Sequence, residues 1–533
     1  MRPFLAELKR RKVVRVAIVY VLVGLVVVEA ANNLFPALNL PDWTVTLVVA
    51  LALLGFPIAL ALAWAFDITP ARVKRAAGED AGADERSIAV LPFTDMSPEG
   101  DQEYLCDGMA EELIDALTKV KELRVAARTS SFQFKGRSED VCEIGKKLRV
   151  GSVLEGSVRR AGERLRVTAQ LVNAADGYHL WSEKYERKLE DVFAIQDDIA
   201  RAIVGTLRVT LLGEQQQPLV RAGTESSEAY DLYLKGRHCW VRRYKYGLQT
   251  ALEFFEKANE TDPGYALPYT GIADVHSILA IYGLLEPGDA RRIAEAAAER
   301  ALALDPELPE AYFSRAVVRA CFYHEWDTSH GLMQRAVELN PIFAAAHAWI
   351  GMALANPGLR VEEGLEHARR ACALDPHSPY IQGIAGLAHI MGRRYPGAIA
   401  HFERALKLEP EDVLALYGAG TCYSAVGRHA EAIATLEKAA ALSHRMAFVI
   451  GLLAAAYGRA GMMAEARVIL QELRERAERE YVTPVALAWA CANVGLEEEA
   501  LDYLEQALAE SHPTLSNAIR YPVWDAILSH PRY

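Results

Sequence analysis

The sequence predicts a multidomain chain with an α-helical membrane hairpin, a small α/β domain built on a mixed sheet, and an all-α solenoid of repeated helix pairs. Three observations support this prediction. Two long apolar stretches lie near the N-terminus, strand-like and helix-like patterns alternate over residues 87–213, and a small residue recurs about every 34 positions farther along the chain. With 533 residues the chain is long enough for several domains, because single globular units usually have about 100–200 residues.

Residues 1–75 are predicted to form a membrane hairpin with spans at about 13–31 and 45–66. The first stretch reaches spanning length only by including Arg15, whereas the second has 22 residues without a charge. About 20 apolar residues are needed to cross the hydrocarbon core. Basic residues precede the first stretch and follow the second, so the positive-inside rule places both ends in the cytoplasm. This predicts a protein of the bacterial inner (cytoplasmic) membrane whose other domains face the cytoplasm. A cleaved signal peptide in place of the first span is the alternative.

A flexible linker at 76–86 is predicted to lead to an α/β domain at 87–213. Short apolar runs, alternating stretches and helical spacing of apolar residues predict the order β-α-β-α-β-β-β-α. Because this order combines strand–helix units with consecutive hairpins, we expect a mixed sheet with helices packed on it. The predicted strands are 87–93, 123–129, 152–159, 164–173 and 178–185, and the predicted helices are 101–121, 140–148 and 192–212.

Several stretches of this domain resemble a bacterial domain family, in particular "SIAVLPF", "CDGMAEELIDAL", "LRVAARTSSFQFKG" and "IQDDIARAI". They are similar to the amino-terminal domain of TolB and to FlgO-type proteins. The resemblance implies an α/β fold. In that family such a domain commonly precedes tetratricopeptide arrays and can follow a cyclase domain, a winged-helix domain or a membrane hairpin. The resemblance carries over no catalytic residue.

The loop after the first predicted strand, "TDMSPEGDQEYLCDG", lacks the composition of a phosphate- or cofactor-binding loop. It has only Gly100 and Gly108, no GxGxxG or GK[ST] motif, and several acidic residues that would repel a phosphate. Cys106 lies beside Asp107, whose charge is expected to raise the pKa of the thiol and not to activate it. We therefore predict no catalytic residues, no cofactor and no enzymatic activity.

Metal and nucleic-acid binding are also disfavoured. The seven cysteines show no CxxC spacing, and "HEWDTSH" places His324 and His330 six positions apart, whereas an HExxH metalloprotease needs four. A net charge of −12 is the opposite of the basic excess typical of nucleic-acid-binding proteins. One loop, "RTSSFQFKGRSED" at 128–140, remains open between two interpretations: it binds an anion or a partner segment, or its two phenylalanines pack it on the sheet.

Residues 226–510 repeat with a period typical of tetratricopeptide repeats. A small residue recurs with spacings of 43, 35, 35 and then 34 residues, and Asp/Asn/Glu-Pro pairs such as Asp305-Pro306 keep the same rhythm. A 34-residue helix–turn–helix period is the signature of these repeats, and Pro ends the second helix. About eight repeats are predicted. Their small residues are Ala251, Ala294, Ser329, Gly364, Ala398, Ala432, Ala466 and Ala500.

The concave surface of such an array is the predicted binding site for an extended peptide or a helix of a protein partner. The repeat frame predicts five partner-binding residues on the first helices of the repeats: Tyr380, Tyr417, Thr421, Ser424 and Arg459. The remaining segment, 511–533, is predicted to cap the apolar face of the last repeat, with a docking role as the alternative.

Together these features predict a membrane-anchored cytoplasmic scaffold or adaptor that binds protein partners in a tetratricopeptide groove. The α/β domain would serve for docking or regulation. The predicted partners are a protein or peptide and, through the two spans, the lipid bilayer, and no nucleic acid is expected. Two alternatives remain: a ligand- or nucleotide-responsive signalling regulator related to cyclase-associated proteins, and a cell-envelope assembly protein.

Overall fold

The fold is known from a computed structural model that describes residues 86–120, 123–137, 139–162, 164–207, 223–241, 245–355, 360–518 and 520–533, together with Thr44 and Ala50. The chain divides into the units Met1–Gly82 and Ala83–Tyr533. All the elements below belong to the second unit, which begins with a sheet and continues as an array of helices.

The sheet contains six strands and mixes parallel and antiparallel pairing. The strands are β1 (Ser87–Val90), β2 (Thr94–Asp95), β3 (Arg124–Val125), β4 (Ser152–Ala161), β5 (Arg164–Asn173) and β6 (His179–Lys188). Their order is β3-β1-β4-β5-β6, with β2 beside β4. β1 is parallel to both β3 and β4, whereas β4, β5 and β6 form an antiparallel meander. The meander is long because its strands have ten residues each.

Helices cover both faces of this sheet. They are α1 (Glu103–Thr118), α2 (Arg128–Phe132), α3 (Val141–Leu148) and α4 (Val192–Thr206). Successive side chains of a strand point to opposite faces. Val158 and Leu165 accordingly belong to a core that α1 and α4 share, while Val153 packs with Ile144 of α3 in a second, smaller core. α3 begins where the Asp140 carboxylate accepts a hydrogen bond from the Cys142 backbone N–H at 2.8 Å, which caps the helix.

The structure departs from the predicted strand at 123–129. The strand ends at Val125, and residues 128–132 form the short helix α2. The alternating pattern failed here because Ser130 is buried and its hydroxyl bonds to Asp375 of the helical array, so a tertiary contact outweighs the local strand preference.

Between residues 227 and 509 the described helices form eight consecutive pairs. They are α5 (Ser227–Val241), α6 (Lys245–Thr261), α7 (Ala266–Ile281), α8 (Pro287–Leu304), α9 (Pro309–Tyr323), α10 (Trp326–Leu339), α11 (Ala344–Ala355), α12 (Val361–Leu374), α13 (Pro379–Met391), α14 (Tyr395–Leu408), α15 (Val413–Ala425), α16 (His429–Leu442), α17 (Ala447–Arg459), α18 (Met463–Ala477), α19 (Pro484–Asn493) and α20 (Glu497–Ala509). A short helix, α21 (Pro513–Ala518), and a 3-10 turn at Pro522–Trp524 follow.

The two helices of a pair approach closely where the sequence provides small residues. In the pair α11–α12, Gly351 and Gly364 face each other. A Cβ atom added to Gly351 would lie 2.7 Å from the Gly364 carbonyl oxygen, and one added to Gly364 would lie 2.6 Å from the Gly351 oxygen. Because both obstacles are backbone atoms, no side-chain rotation relieves the clash. The recurring small residue therefore sets the distance between paired helices.

The predicted membrane hairpin must be corrected. Its spans, 13–31 and 45–66, lie outside the described residues apart from Ala50. Within the described part of the chain, no helix is both long enough and apolar enough to cross a bilayer. The longest, α8, has 18 residues and carries Arg291 and Arg292, whereas a crossing needs about 20 apolar residues. The described chain is a small mixed sheet with helical repeats. The predicted fold class is therefore corrected, for the described residues, to one without a membrane-spanning helix, and the predicted inner-membrane localisation is not supported.

The close crossing in α11–α12 leads to a stability prediction. Gly351→Ala should destabilise the protein by about 1–3 kcal/mol, because the added methyl group must push two helix backbones apart. The matched control is Gly331→Ala in α10, where an added Cβ meets nothing within 4 Å. That change should be neutral or stabilise by up to about 1 kcal/mol, because Ala has the higher helix propensity. Thermal melting measures both, and equal shifts would contradict the role of the crossing.

Candidate functional site

The first helices of successive pairs meet in an aromatic channel on the concave side of the array. We define the channel by the rings of Tyr282, Trp349, Tyr380, Tyr417, Phe448 and Tyr521, which line one apolar cavity. The cavity has a volume of about 50 Å³. Ligand pockets for small molecules are usually about 300–1,000 Å³, so the channel in this conformation has no room for such a ligand.

The ring contacts in the channel follow from the repeat period. Trp349, Gly383, Tyr417 and Gly451 are separated by 34 residues each, so they occupy one position on successive first helices. Gly383 leaves room for Leu414, whose side chain would lie 2.7 Å from a Cβ at that position. Large aromatic residues and glycines thus alternate along the channel, so that side chains of neighbouring helices can interdigitate.

Neighbouring rings of the channel pack edge to face. The ring centroids of Tyr417 and Phe448 are 5.2 Å apart with planes at 73°, and those of Phe448 and Trp489 are 5.1 Å apart at the same angle. The indole N–H of Trp349 donates a hydrogen bond to the Tyr380 hydroxyl at 2.7 Å. Such aromatic pairs contribute about 0.5–1.5 kcal/mol each beyond their burial.

The array curves enough for its early and late helices to touch. The Tyr282 ring, just after α7, lies 6.4 Å from the Phe448 ring of α17. A Cβ added to Gly283 would lie 2.8 Å from the Thr483 side chain. Gly283 has a φ of 64°, a left-handed conformation that glycine adopts at little cost. The concave side is therefore a narrow channel and not an open groove.

Residues 511–533, which we call the C-terminal segment, lie across this channel. The Thr514 hydroxyl donates to the Ile281 carbonyl oxygen at 2.8 Å, and Arg520 Nε donates to the Met391 oxygen at 2.7 Å. Tyr521 stacks on Trp489 at 6.2 Å with nearly parallel rings. The segment thus contacts the ends of first helices from distant pairs.

The five residues predicted from the repeat frame have different surroundings. Tyr380 and Tyr417 both line the channel. Arg459 Nη1 donates to the Pro522 carbonyl oxygen at 3.0 Å, so it already has a backbone ligand from the C-terminal segment. Thr421 and Ser424 are buried: the Thr421 hydroxyl donates to the Tyr417 carbonyl oxygen at 2.8 Å. The Ser424 hydroxyl has no hydrogen-bond partner among the described residues. Partner binding by the five residues stays a prediction.

Sequence reasoning missed four residues of the channel, namely Tyr282, Trp349, Phe448 and Tyr521. A signal was present, because Tyr380, Leu414 and Phe448 follow the same 34-residue spacing one helical turn before the Trp349 series. This 34-residue pattern becomes visible when the sequences of all the first helices are aligned and their large side chains are compared position by position.

The sheet domain is joined to the array by polar contacts. The carboxylate of Asp375, which is 6% exposed, accepts hydrogen bonds from the hydroxyls of Thr129 and of Ser130, the latter at 3.1 Å. Burial raises the pKa of Asp375, and the two hydroxyl donors partly offset the rise. The Tyr104 hydroxyl donates to Asp231 of α5 at 2.6 Å. These contacts link α1 and α2 to helices of the array.

The loop left open in the sequence, 128–140, is packed in place. The Arg128 guanidinium lies 4.2 Å from the centre of the Phe132 ring, and Phe134 is buried. The hydroxyls of Thr129 and Ser130 donate hydrogen bonds to Asp375 of the array, so the partner of this loop belongs to the same chain.

The acidic loop before α1 has no geometry suited to nucleophilic chemistry. Asp95 accepts from the backbone N–H groups of Ser97 and Gln102, both at 2.8 Å, and so shapes the loop itself. Burial raises the pKa of Cys106 to about 12, with the charges of Asp95 and Asp107 adding to the effect. The thiol is therefore protonated at neutral pH.

Histidines pair between neighbouring helices of the array. The Nδ1 atoms of His347 and His367 are 3.2 Å apart, and the rings of His389 and His401 are 4.8 Å apart. Burial lowers the pKa of His347 to about 4, with the charges of His367 and Arg370 contributing; burial and His389 lower that of His401 to about 4. Among the described residues, no group of three or more His, Cys, Asp or Glu could hold a metal ion.

The two widest of the other depressions on the described surface of the second unit are polar. One of about 650 Å³ surrounds Thr224 and Asp262, which already bond to each other. The other, of about 580 Å³, lies at the open end of the β meander among Arg159, Arg164 and Arg166. Neither brings apolar side chains from several elements together, as the channel does.

Comparison with known proteins relates both parts of the second unit to families. Residues 84–202 match the model of the HilA/YgeH-like transcriptional regulator, second domain. Residues 385–446 match a tetratricopeptide repeat model, which confirms the predicted repeat array in this region. The model matched by the sheet domain is of the HilA/YgeH type and not of the TolB or FlgO type, so that resemblance stays a prediction.

Two curated relatives match part of the chain. The chain is 41% identical over 187 residues to a protein of Rhizobium meliloti (strain 1021) described as "Putative adenylate cyclase 3", covering 35% of this chain and 32% of that protein. It is 22% identical over 293 residues to the transcriptional regulator HilA of Salmonella typhimurium, covering 54% of this chain and 51% of that protein. The chain thus spans about a third and about half of these relatives.

Solved structures similar to this one include tetratricopeptide proteins. YrrB, a tetratricopeptide protein with an unusual peptide-binding site, has a TM-score of 0.23 at 20% identity, and covers 35% of this chain and 91% of its own. A thermophilic tetratricopeptide protein of Thermus thermophilus has a TM-score of 0.32 at 17% identity, and covers 36% of this chain and 98% of its own.

The histidine pairs predict a pH dependence of stability. In the unfolded chain the histidines titrate near 6.5, whereas His347 and His401 titrate near 4 in the folded protein. Their stabilising effect is therefore complete above about pH 6.5 and is lost as the pH falls toward about 4. At about pH 5 we expect a loss of about 2 kcal/mol per histidine. Melting temperatures of the wild type, His347→Gln and the exposed control His179→Gln measure it. A pH dependence that stays unchanged in His347→Gln would refute the assignment.

The contact at Asp375 predicts a further stability effect. Thr129→Val removes one donor to a buried carboxylate and should cost about 2 kcal/mol. Thr261→Val, at the exposed end of α6, makes the same substitution where the hydroxyl bonds only within its helix, and should change stability by less than about 0.5 kcal/mol. Calorimetry of both variants provides the comparison, and the prediction fails if their melting temperatures agree.

Proposed function

We propose that the chain is a non-enzymatic regulatory adaptor whose tetratricopeptide array binds a protein segment in the aromatic channel. One observation carries the proposal: aromatic side chains from four successive first helices, Trp349, Tyr380, Tyr417 and Phe448, converge on the lining of one cavity. Aromatic side chains are enriched among the residues that dominate protein–protein binding energies.

The polar side chains near the channel support a peptide ligand. Arg459 and Asn493 both donate to backbone carbonyl oxygens, at 3.0 Å in each case. Donors of this kind recognise main chain whatever its sequence, while the rings supply pockets for particular side chains. Backbone donors together with aromatic pockets suit a protein segment, which is the ligand that the sequence analysis predicts for this surface.

The sheet domain would serve as the regulatory part. It is fixed to the first helix of the array by Tyr104 and Asp231 and to the middle of the array by Asp375, so a ligand or protein bound to the sheet could bias the array. The similarity to HilA and to the cyclase relative favours a role in regulation, because both bear regulatory or signalling names.

A nucleotide- or ligand-responsive regulator is the second candidate. It is favoured by the 41% identity to the Rhizobium relative over 187 residues. Thermal-shift measurements of the full chain with nucleoside triphosphates and cyclic nucleotides separate the two candidates. A shift with one nucleotide favours the second, whereas none at millimolar concentration leaves the adaptor.

The adaptor function is tested by cross-linking capture with a channel variant. Tyr380→Ala should reduce recovery of the partner by about tenfold or more, since loss of a central aromatic contact typically costs about 2 kcal/mol. Tyr178→Ala is the control, because Tyr178 is 74% exposed and lies in the sheet domain. Circular dichroism establishes that both variants fold. Equal recovery from both variants and the wild type would refute binding in the channel.

A further inference from the structure

The C-terminal segment occupies the channel in the manner of a bound peptide. It leaves α20, reaches the carbonyl end of α7 through Thr514, and returns past the ends of α13, α17 and α19. The middle of the segment therefore crosses the mouth of the channel, and only its end returns to the surface of the last helix. Leu508 on α20 remains 64% exposed, so covering that helix does not account for the path of the segment.

Two aromatic anchors hold the middle of the segment. Tyr521 lines the channel cavity and stacks on Trp489, and Trp524, which is 1% exposed, lies 6.0 Å from the same indole. Between these anchors, the carbonyl oxygens of Pro522 and Val523 accept hydrogen bonds from Arg459 and Asn493. Side-chain anchors with backbone hydrogen bonds between them are the usual elements of peptide recognition.

The outer end of the segment is held by exposed charges. Arg532 pairs with Glu498, Asp502 and Glu505 of α20 at 2.6–2.9 Å, and its side chain is 34% exposed. Asp525 pairs with Arg393, and this pair is exposed to a similar degree. Exposed ion pairs contribute little stability and are screened by salt, so these pairs can break without disturbing the channel. Ile527, between them, is buried, and its release also exposes an apolar side chain.

We propose that residues 513–524 are an internal ligand that competes with the external partner of the channel. The partner is a protein segment of the same chemistry: two aromatic side chains three positions apart, like Tyr521 and Trp524, on a tight 3-10 turn whose carbonyls face Arg459 and Asn493. The proposal rests on the proposed function. Because the segment is attached to the array, its effective concentration at the channel is high, and a free peptide binds only after it is released.

The test uses a fluorescent peptide of residues 511–527 and the full chain. The wild type should bind it weakly, whereas Trp524→Ala, whose own segment lacks an anchor, should bind it at least about tenfold more tightly by fluorescence anisotropy. A peptide with both Tyr521→Ala and Trp524→Ala is the matched control and should not bind. Binding of the two peptides with equal affinity to a folded Trp524→Ala chain would overturn the proposal.

Arg532→Glu provides a second variant that leaves the channel and its anchors intact. It should bind the peptide more tightly than the wild type, and added salt should have the same effect on the wild type. Hydrogen exchange of the wild type should be faster at 513–524 than in α17 and α19. If the segment exchanges as slowly as these helices and Arg532→Glu binds no more peptide than the wild type, the segment is a fixed part of the fold and the proposal is wrong.

Two outcomes separate this proposal from others. If light scattering shows that the released variant forms dimers and the peptide dissociates them, the occupant is a second copy of the chain, and a foreign partner is excluded. If partner capture depends on Tyr380 but no variant binds the peptide, the adaptor function stands while the internal ligand fails.

Discussion

The close contact between paired helices determines most of the structure. At Gly351 and Gly364, each backbone leaves no room for a Cβ on the other. This spacing recurs along the array because a small residue returns about every 34 positions, and similar pairs stack with a similar rotation. The accumulated rotation brings Tyr282 against Phe448 and produces a channel where a flatter array would have an open groove. The site is thus a consequence of the repeat geometry, and its aromatic residues are useful only because that geometry collects them.

Polar contacts hold the sheet domain in a definite position against the array. The sheet domain is attached by hydrogen bonds that involve buried carboxylate, as at Asp375, and such contacts are directional. The apolar channel alone would tolerate many arrangements, since aromatic packing is less specific than a buried hydrogen bond. The combination fixes the first helices relative to the sheet, whereas the C-terminal segment is held by buried side chains such as Trp524 and Ile527, by hydrogen bonds and by exposed charges.

The sequence was informative where structure is local and periodic. The 34-residue period predicted helix pairs correctly because each pair depends on residues within the repeat. The strand predicted at 123–129 failed because Ser130 bonds to Asp375, a residue far along the chain. The predicted membrane hairpin found no support, since no helix among the described residues can cross a bilayer. Of the five predicted site residues, the frame placed Tyr380 and Tyr417 in the channel. Closure of the channel could not be predicted, because it depends on rotation summed over many repeats.

The contact between Gly283 and Thr483 has a consequence for how the array unfolds. An open solenoid is nearly one-dimensional, so its terminal repeats fray independently of the centre. Here the second and eighth helix pairs touch, and the array behaves as a closed ring whose ends support each other. Loss of one end removes contacts from the other, so we expect the repeats to unfold more cooperatively than those of an open solenoid. Because this ring closes over about 200 residues, its final contact forms late and slows folding relative to an open array of the same length.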